Sequence, residues 1–378
     1  MKILVIDDQQ LILLSVEKKL KELGYDVKTT NRGEMGIALF ETFFPDLVII
    51  DINMPDMSGL EVIQYIRIVK KMHTPIVVIS GNTNETTIIN GFNLGINDYM
   101  KKPVSLDEMA ARINRILGNK FNQIYLKKHN TQMLQKYCVG IVIPCYNEAN
   151  RLSSTIFEKF THTNLGYHIC FVNDGSTDNT LAVLKKLQKG NQDKISIFNC
   201  EKNVGKAEAV RQGINYLSKD KQLDYIGYLD VNLSTGFKDF EDLVSIIANS
   251  EFKIVSGSRI NRMGVKIAKE SAPSIMSKAI NFIIQKILRM PFKDTQCGAK
   301  IMDREIATTM FKKRFITRWL FDVEIFMRMR KYYGKEKVQQ LICEQPLKHW
   351  VRVDGAKFSI QNAIKTFGQL AQIVFHYR

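Results

Sequence analysis

Three aspartates in the N-terminal part of the chain could together bind a metal ion. Asp7 and Asp8 follow the apolar run KILVI, and Asp51 follows the apolar run LVII. Carboxylates that converge at strand ends repel one another unless a hard cation such as Mg²⁺ neutralises them. Ser80 and Lys102 close two further runs, and a hydroxyl and an ammonium suit the oxygens of a phosphoryl group on one carboxylate. This set of residues indicates a phosphorylation switch.

Residues 1–118 alternate between strand and helix patterns, which predicts where these side chains lie. Short apolar runs bounded by polar or turn residues predict strands, and stretches such as residues 10–24, which end at a glycine, predict helices. The repeated alternation predicts a parallel sheet with helices on both faces. In such sheets the active site lies at the carboxyl ends of the strands, where all of these residues fall.

The same region resembles the receiver domains of response regulators. The motifs are DD at 7–8, DINMPDMSG at 51–59, SGN at 80–82 and KKPV at 101–104. The resemblance implies a flavodoxin-like fold with a five-stranded parallel sheet, in which Asp51 is the phosphoacceptor. It implies a sensor histidine kinase or a phosphotransfer protein as partner. It also implies Mg²⁺ as cofactor, held by Asp7, Asp8, Asp51 and the backbone carbonyl of Asn53.

Further roles follow from this resemblance. Ser80 and Lys102 would contact the phosphoryl group, and Tyr99 would be the aromatic residue that turns inward on phosphorylation. The peptide bond between Lys102 and Pro103 would be cis, a form found almost only before proline. A receiver that has lost its chemistry usually lacks the acceptor, a metal carboxylate or the lysine, and this sequence retains all of them.

The excess positive charge lies after residue 118. Residues 1–118 carry 13 Lys and Arg against 15 Asp and Glu, which leaves 41 against 23 for the remainder from whole-chain counts of 54 and 38. This asymmetry predicts an anionic partner, either phosphorylated substrates or an acidic membrane surface. The sequence shows no helix-turn-helix pattern and no zinc-finger spacing, so nucleic acid is not expected as a partner.

The composition predicts a cytoplasmic protein of two domains with free thiols. The six cysteines form no CxxC pair, which argues against a metal site or a disulfide framework. The aspartates in the first apolar run argue against a signal peptide, and no uncharged apolar stretch reaches the roughly 20 residues that span a bilayer. The domains are predicted at 1–118 and 138–378. Residues 119–137, which contain neither Gly nor Pro, predict a helical linker.

The second predicted domain repeats the alternation of strands and helices. Strand patterns that run into polar residues occur in VGIVIPC, HICFVND, KISIFNC, DYIGYLD and FKIVSGS. Helix patterns follow several of these strands. The sequence therefore predicts another α/β arrangement, with polar side chains gathered at the carboxyl edge of the sheet.

Residues 138–375 resemble family 2 glycosyltransferases, particularly those that make polyprenyl- or dolichyl-phosphate sugars. The motifs are IPCYNEANRL, VNDGSTDNT, NVGKAEAVRQGI, LDVNLST, GSR, DTQCGAKIMDR, RWLFDVEIFM and KHWVRVDGAKF. The resemblance implies the α/β fold that binds nucleotide-diphospho-sugars, with a UDP- or GDP-hexose as donor and a polyprenyl phosphate as acceptor. The residues that it implies for nucleotide-sugar binding are Pro144, Tyr146, Glu148, Asp174, Lys206 and Asp230.

The metal motif of this family, Asp-x-Asp, reads Asp230-Val231-Asn232 here. The resemblance implies Mg²⁺ or Mn²⁺ at Asp230 and Asn232. An asparagine oxygen brings no charge, and a hydrogen bond to a charged group contributes about 1.5–3 kcal/mol where a neutral one contributes about 1 kcal/mol. The sequence leaves open whether this change weakens metal binding or abolishes catalysis.

The transfer reaction calls for cationic groups more than for a base. A departing nucleoside diphosphate develops negative charge, which a divalent cation or cationic side chains must stabilise. A lipid-phosphate acceptor is already an anion, so holding it in line is the main requirement. By the resemblance, Arg259 faces the acceptor phosphate, with Arg262 and Lys266 as further candidates. Asp322 lies where the wider superfamily often keeps its base.

Two segments have the spacing of helices that lie on a bilayer. Residues 274–290 and 358–378 alternate apolar residues with Lys or Arg at helical spacing, as interfacial helices do. Each could instead pack on the domain core or on a dimer partner. A homodimer could also form through the fourth and fifth receiver helices, expected near 84–94 and 105–117, since receivers commonly dimerise or dock through that face.

These observations favour a phosphorylation-regulated glycosyltransferase. It would move a hexose from a nucleotide sugar to a polyprenyl phosphate, with inversion at the anomeric carbon, peripherally bound at the cytoplasmic face of the membrane. The alternative, which Asn232 favours, is a signalling adaptor whose transferase-like domain binds nucleotide sugar or lipid with weak or no catalysis. A DNA-binding regulator would need a recognition helix, and the sequence shows none.

Overall fold

The chain forms two compact units. The first consists of Met1–Cys138 and Glu158–Tyr167, and the second of Val139–Phe157 and His168–Arg378. The computed structural model describes residues 1–118, 132–152, 154–259, 275–288, 290, 292–350 and 360–377. Each unit contains one of the two predicted α/β sheets.

A parallel sheet of five strands forms the centre of the first unit. The strands are β1 (Lys2–Ile6), β2 (Asp26–Thr30), β3 (Leu47–Ile50), β4 (Ile76–Ser80) and β5 (Asp98–Lys101). Their order is β2-β1-β3-β4-β5, so that Ile3 pairs with Val27 on one side and with Leu47 on the other. Every residue of β3 and β4 is buried, as expected for parallel strands covered on both faces.

Helices on both faces of this sheet complete the predicted flavodoxin-like receiver fold, which is confirmed. They are α1 (Gln10–Glu22), α2 (Gly33–Phe43), α3 (Gly59–Gln64) with a π-helical turn at Tyr65–Val69, α4 (Glu85–Asn93) and α5 (Leu106–Ile116). The apolar face of α1 packs into one core cluster, and a second cluster contains Phe40 of α2 and Val62 of α3. The apolar periodicity of each helix therefore decides which of its faces meets the sheet.

The sheet of the second unit is mixed. Its strands are β7 (Met133–Cys145) and β8 (Asn164–Asp174), whose residues up to Cys138 and Tyr167 belong to the first unit, and β9 (Ile195–Cys200), β10 (Tyr225–Leu229), β11 (Ile254–Ser258), β12 (Ala299–Asp303) and β13 (Ile342–Pro346). The short strand β6 (Val104–Ser105) precedes them in the chain and belongs to the first unit. The order is β13-β11-β12-β10-β7-β8-β9. Strand β10 is parallel to β7, whereas β12 is antiparallel to both of its neighbours. The predicted α/β fold is confirmed, with β12 and β13 added to the strands that the sequence predicted.

One helix of the second unit, α12 (Phe321–Tyr333), is contacted by four others. The helices that follow α5 in the chain are α6 (Ser154–Thr163), of which Glu158–Thr163 belong to the first unit, and α7 (Thr180–Gln188), α8 (Lys206–Leu217), α9 (Phe237–Ala248), α10 (Ile275–Leu288), α11 (Arg304–Phe311), α12 (Phe321–Tyr333), α13 (Lys337–Leu341) and α14 (Ile360–Tyr377). The first nine residues of α12 are buried except for Arg328, so this helix is a central element rather than a surface one.

The two segments predicted as interfacial helices are α10 and α14, and both pack on α12. Arg330 of α12 donates to the carbonyl oxygens of Ile287 and Leu288 at the end of α10. Tyr377 at the end of α14 donates to Glu324 of α12 at 2.8 Å. Packing on the domain, one of the two possibilities, is therefore observed. Among the described helices, none is long and apolar enough to cross a membrane.

The predicted helical linker is wrong for its last residues, because Met133–Tyr137 belong to strand β7. Val104 and Ser105 of β6 pair antiparallel with Leu134 and Met133. Leu134 is fully buried in the core cluster of the first unit. Strand pairing and burial of this side chain override the loose helical spacing of the segment. Residues 119–131 lie outside the described residues.

Replacing Leu134 by Ala tests this strand. Removal of a fully buried leucine side chain should lower the free energy of unfolding of the first unit by about 2–5 kcal/mol. The control is Glu22→Ala at an exposed position of α1, with an expected change within about 0.5 kcal/mol. Denaturant titration with hydrogen exchange of the β1 and β3 amides measures both. Equal, small effects for the two variants would contradict the pairing of Leu134 with the first unit.

Candidate functional site

The first site lies at the carboxyl edge of the sheet in the first unit. Asp7 follows β1, Asp51 follows β3, Ser80 ends β4 and Lys102 follows β5, and all four side chains are buried. The carboxylates of Asp7, Asp8 and Asp51 have ligand atoms within 4.8 Å of one another. Three clustered carboxylates are a hard oxygen donor set, so these residues fit Mg²⁺ and would hold it.

Lys102 neutralises two of the carboxylates. Its Nζ donates to Asp7 Oδ2 at 2.6 Å and to Asp51 Oδ2 at 2.9 Å. Burial disfavours the ammonium, but the two carboxylates outweigh this effect and raise the pKa of Lys102 above its usual value. Burial raises the pKa of Asp7, although Lys102 opposes this shift. Lys102 therefore stays charged beside the residue that would accept a phosphoryl group.

Asp51 is held by neighbouring polar groups. Ser80 Oγ donates to Asp51 Oδ1 at 2.6 Å, and the Asn53 backbone N–H donates to the same oxygen at 3.1 Å. Gly59 packs so closely on the Asp51 backbone that a Cβ there would collide with the carbonyl group, which explains the glycine of DINMPDMSG. The remaining Oδ2 faces the ammonium of Lys102. Asp51 is thus fixed where a hydroxyl, an ammonium and a metal could all serve one phosphoryl group.

Two further expectations concern Tyr99 and Pro103. The peptide bond between Lys102 and Pro103 is cis, as the resemblance implies. The Tyr99 ring packs against the core cluster that contains Ile50 and Val78. Its hydroxyl donates to the carbonyl oxygen of Asn82 at 2.8 Å. Tyr99 therefore links β5 to the loop that follows Ser80, although its movement on phosphorylation stays a prediction.

The second site is a cleft of about 360 Å³ in the second unit. All six residues predicted to bind the nucleotide sugar line it, and so does Asn232. The complete lining is Pro144, Cys145, Tyr146, Glu148, Asp174, Asn203, Gly205, Lys206, Asp230, Val231, Asn232 and Trp319. Residues from the ends of β7, β8 and β10 therefore meet the loop that opens α8, as expected at the carboxyl edge of an α/β sheet.

Asp174 shapes the loop before α8. Its Oδ1 accepts from the Val204 N–H at 2.7 Å and its Oδ2 accepts from the Gly205 N–H at 3.0 Å. Burial raises the pKa of Asp174, while these backbone donors oppose the shift. Gly175 has a φ of 61° and lies against the backbone of Lys202 and Asn203, where a Cβ would collide. Asp174 is thus positioned at the cleft together with the loop that it organises.

Lys206 and Asp230 form the charged floor of the cleft. Lys206 Nζ donates to Asp230 Oδ1 at 2.6 Å and lies 5.8 Å from the centre of the Trp319 ring. Burial disfavours this ammonium, but Asp230 and Asp322 outweigh it and raise the pKa of Lys206. Gly298 packs on the other side of Asp230, where a Cβ would collide with the carboxylate. The glycine of DTQCGAK therefore makes room for Asp230.

Asn232 is turned toward its own loop. Its Oδ1 accepts from the Ser234 N–H at 3.0 Å and from Ser234 Oγ at 2.9 Å. Two hydrogen bonds use the two lone pairs of an amide oxygen, and the neighbouring carboxylate of Asp230 already bonds Lys206. Among the described residues, only Asp7, Asp8 and Asp51 bring three acidic, histidine or cysteine ligands together. The donor set at Asp230 and Asn232 does not fit a divalent cation.

Arg259 lies outside the lining of the cleft, in a bidentate ion pair. Its Nε donates to Asp294 Oδ2 at 2.7 Å and its Nη2 donates to Asp294 Oδ1 at 2.8 Å. Burial disfavours the guanidinium, but Asp294 outweighs this effect and raises the pKa of Arg259. Glu344 fixes Asp294 by accepting from its N–H at 2.6 Å, and the Trp350 ring lies 5.9 Å from the guanidinium. Arg259 is held rigidly.

Asp322 also lies outside the lining, in a buried network. Its Oδ1 accepts from Lys300 Nζ at 2.6 Å and from the hydroxyl of Tyr228. Lys300 is fully buried and also donates to the carbonyl oxygen of Cys297 at 2.7 Å. These contacts give Asp322 a role in holding β10, β12 and α12 together, and its predicted role as a base stays a prediction.

Trp319 is the aromatic residue of the cleft that sequence reasoning missed. Its side chain is 62% exposed although it lies in the lining. The preceding residue, Arg318, accepts at its carbonyl oxygen from the Ala207 N–H at 3.3 Å, which fixes the loop beside α8. The motif RWLFDVEIFM carried the signal, but the helical spacing of its apolar residues indicated a core segment rather than a cleft residue.

Comparisons with known proteins match both parts of the chain. The family model of the response regulator receiver domain matches residues 3–114, and that of glycosyl transferase family 2 matches residues 140–311. A dolichyl-phosphate beta-glucosyltransferase of Dictyostelium discoideum is 30% identical over 263 residues, which cover 66% of this chain and 77% of the relative. The chain therefore belongs to glycosyl transferase family 2 and carries an N-terminal response regulator receiver domain.

Other relatives match one part of the chain. The cell cycle transcriptional regulator CtrA of Caulobacter vibrioides is 40% identical over 117 residues, which are 31% of this chain and 50% of CtrA. A receiver domain crystal structure from Methanospirillum hungatei is 27% identical, covers 31% of this chain and 93% of that chain, and has a TM-score of 0.30. Glucosyl-3-phosphoglycerate synthase of Mycobacterium tuberculosis is 13% identical, with 63% and 80% covered and a TM-score of 0.46.

Phosphorylation of the first site is expected to require Asp51. Acetyl phosphate with Mg²⁺ should modify the wild-type chain and leave Asp51→Asn unmodified, since an amide cannot form the acyl phosphate. Intact-mass spectrometry measures the product. The matched control is Asp26→Asn, at an exposed position of β2, which should be modified like the wild type. A phosphorylated Asp51→Asn chain would contradict the assignment.

Gly298→Ala should damage the cleft through Asp230. The added Cβ displaces the carboxylate, and we expect the affinity for UDP or GDP to fall by about tenfold or more, which corresponds to about 1.4 kcal/mol. Isothermal titration calorimetry measures this affinity. The control is Gly368→Ala, an exposed position of α14 with open space around it, where helix propensity gains about 1 kcal/mol and binding should not change. Unchanged affinity in both variants would refute the role of Gly298.

Proposed function

We propose that the chain is a phosphorylation-regulated glycosyltransferase. It transfers a hexose from a UDP- or GDP-hexose to a polyprenyl phosphate, with inversion at the anomeric carbon. The observation that carries the proposal is the single cleft in which Pro144, Tyr146, Glu148, Asp174, Lys206 and Asp230 meet. Motifs far apart in the sequence supply one surface with polar, aromatic and cationic groups for a nucleotide and its diphosphate.

The acceptor class is supported by the relative from Dictyostelium discoideum, whose name specifies dolichyl phosphate. Arg259 is the proposed contact of the acceptor phosphate. Asp294 and Glu344 hold its guanidinium in one orientation, and a preorganised arginine loses little freedom on binding an anion. A phosphate monoester is ionised at neutral pH, so its oxygen attacks the anomeric carbon without a strong base. Asp322 is therefore not needed as a base in this scheme.

Control of the reaction is proposed to begin with phosphorylation of Asp51. The phosphodonor would be a sensor histidine kinase or a phosphotransfer protein, as is general for receivers. The added charge would draw in Lys102 and Ser80, which already contact Asp51, and Tyr99 connects that region to β5. Ile89 and Phe92 of α4 are about half exposed, so this face is the proposed surface for a homodimer that responds to the switch.

Membrane contact is proposed for the second unit. The part of the chain after residue 118 has 41 Lys and Arg against 23 Asp and Glu, and basic surfaces gain about 1 kcal/mol per residue near anionic lipid. Phe282 of α10 and Phe375 of α14 are 59% and 77% exposed, although the opposite faces of these helices pack on the domain. The proposed location is the cytoplasmic face of a membrane, where a polyprenyl phosphate presents its head group.

The second candidate function is a signalling adaptor. Asn232 favours it, because the amide oxygen is bonded to Ser234 and adds no charge to the motif. Such an adaptor would bind a nucleotide sugar or a lipid in the same cleft without turnover. Binding without transfer would distinguish it from an enzyme.

The proposal is tested by incubating the purified chain with radiolabelled UDP- and GDP-hexoses and a short polyprenyl phosphate. We expect a lipid-linked sugar whose rate changes when acetyl phosphate and Mg²⁺ are added. The rate of Asp51→Asn should not respond to acetyl phosphate, whereas the rate of the control Asp26→Asn should. Thin-layer chromatography of the lipid extract measures the product.

Two outcomes would each contradict one part of the proposal, the first the transfer reaction and the second its regulation. Nucleotide binding with no transfer in either phosphorylation state, and no gain in the variant Asn232→Asp, would favour the adaptor. Transfer that is identical with and without phosphodonor would leave an unregulated transferase and refute the regulatory part alone.

A further inference from the structure

The acidic motif of the second unit contains one carboxylate, and that carboxylate already has a cationic partner. Asp230 is the only carboxylate of Asp230-Val231-Asn232, and its Oδ1 already bonds the ammonium of Lys206 at 2.6 Å. The oxygen of Asn232 accepts two hydrogen bonds from Ser234. In the first unit, by contrast, three carboxylates lie together. Among the described residues, a cluster of three carboxylates that suits Mg²⁺ or Mn²⁺ therefore occurs only in the first unit.

Lys206 is well placed to act on a diphosphate. Among the described residues that line the cleft, it is the only one with a positively charged side chain. An ammonium has three N–H donors, and Asp230 uses one of them. The other two N–H groups can donate to phosphate oxygens, because the Lys206 side chain is about one quarter exposed. Trp319 covers the ammonium from a second direction.

The backbone of Lys206 is held in place by the surrounding fold, although its side chain is long and flexible. It is the first residue of α8, and the loop before it is fixed by the carboxylate of Asp174 through the Val204 and Gly205 N–H groups. Asp230 follows the buried strand β10 and is confined by Gly298. Lys206 and Asp230 are therefore both held by well-packed elements. The positive charge of Lys206 is preorganised at the place where the leaving diphosphate would develop negative charge.

We infer that Lys206, anchored by Asp230, supplies the positive charge that stabilises the nucleoside diphosphate, and that the transferase site binds its nucleotide without a divalent cation. This inference rests on the proposed function. In the reaction, an oxygen of the acceptor phosphate forms a bond to the anomeric carbon, and the bond from that carbon to the diphosphate oxygen breaks. Its electron pair stays on the diphosphate, where the ammonium of Lys206 donates a hydrogen bond. No proton transfer is required.

In this arrangement Asp230 is a positioning residue, and Asn232 removes a charge that would compete for Lys206. A second carboxylate at position 232 would recruit a metal ion to the site. The number of metal ions bound by the variant Asn232→Asp therefore tests the inference, and this number can be measured without enzymatic turnover.

The experiment is to count Mn²⁺ ions bound per intact chain by electron paramagnetic resonance, in the presence of UDP or GDP. We expect one ion in the wild type, bound at the receiver cluster, and none in Asp8→Asn. We expect a second ion in Asn232→Asp. Calorimetry with UDP and GDP in EDTA should show binding by the wild type, with an affinity about 10- to 100-fold lower in Lys206→Met.

Two variants separate a role of charge from a loss of structure. Lys206→Arg keeps the charge and should retain most of the affinity, whereas Lys202→Met changes an exposed lysine of the neighbouring loop and should bind like the wild type. Thermal unfolding checks that each variant is folded. A Lys206→Met chain that is folded and binds normally would overturn the inference.

The outcomes also separate this inference from the proposed function. Nucleotide binding that occurs only with Mn²⁺, or an Mn²⁺ ion bound by Asp8→Asn that the additional change Asp230→Asn removes, would overturn the inference and leave the transferase proposal standing. Failure of UDP and GDP to bind under any condition would overturn both.

Discussion

Both sites depend on the convergence of parallel strands at one edge of a sheet. The residues within a central strand are buried. The residue that follows each strand lies at the carboxyl edge of the sheet, close to the residues that follow the adjacent strands. In the first unit this constraint gathers Asp7, Asp51 and Lys102. In the second unit it gathers Asp174 and Asp230 with the start of α8. Chemistry that needs several charged groups within a few ångströms is available only where the strands end together.

Charged side chains that converge at a sheet edge are partly shielded from water. In and around both sites they form ion pairs with oppositely charged side chains. Lys102 bonds two carboxylates, Arg259 bonds Asp294, and Lys300 bonds Asp322. Loss of one partner of a buried pair typically costs 3–5 kcal/mol. The pairs therefore make the sites rigid before any ligand arrives. They also mean that a phosphoryl group or diphosphate must share a cation that already has an acidic partner.

Much of the fold was predictable because the strands are apolar runs of ordinary length with polar residues after them. The six residues that are proposed to bind the nucleotide sugar came from motifs, and their meeting in one cleft needed only the usual strand-end geometry. The rest depended on long-range pairing. Strand β12 runs antiparallel between β10 and β11, which local pattern does not encode. Leu134 lies in a strand because its backbone pairs with Val104. The helical spacing of the surrounding apolar residues did not predict this pairing.

The partners of functional residues were harder to predict than the residues themselves. Arg259 pairs with Asp294, which is 35 residues away in the sequence. Lys206 pairs with Asp230, which is 24 residues away. Asn232 illustrates the same limit, since its identity was visible but its orientation toward Ser234 was not. A single sequence shows which chemical groups are present. The hydrogen bonds that leave a group available or occupied follow from the packed structure.

The distribution of tryptophan gives the two units different optical properties. The chain contains two tryptophans, Trp319 and Trp350. Trp319 lines the cleft beside Lys206, and Trp350 lies against Arg259. The receiver domain contains only tyrosine and phenylalanine among its aromatic residues. Indole fluorescence of the unlabelled chain therefore arises entirely from the transferase unit, and any change that phosphorylation causes in it reports on that unit and not on the receiver domain itself.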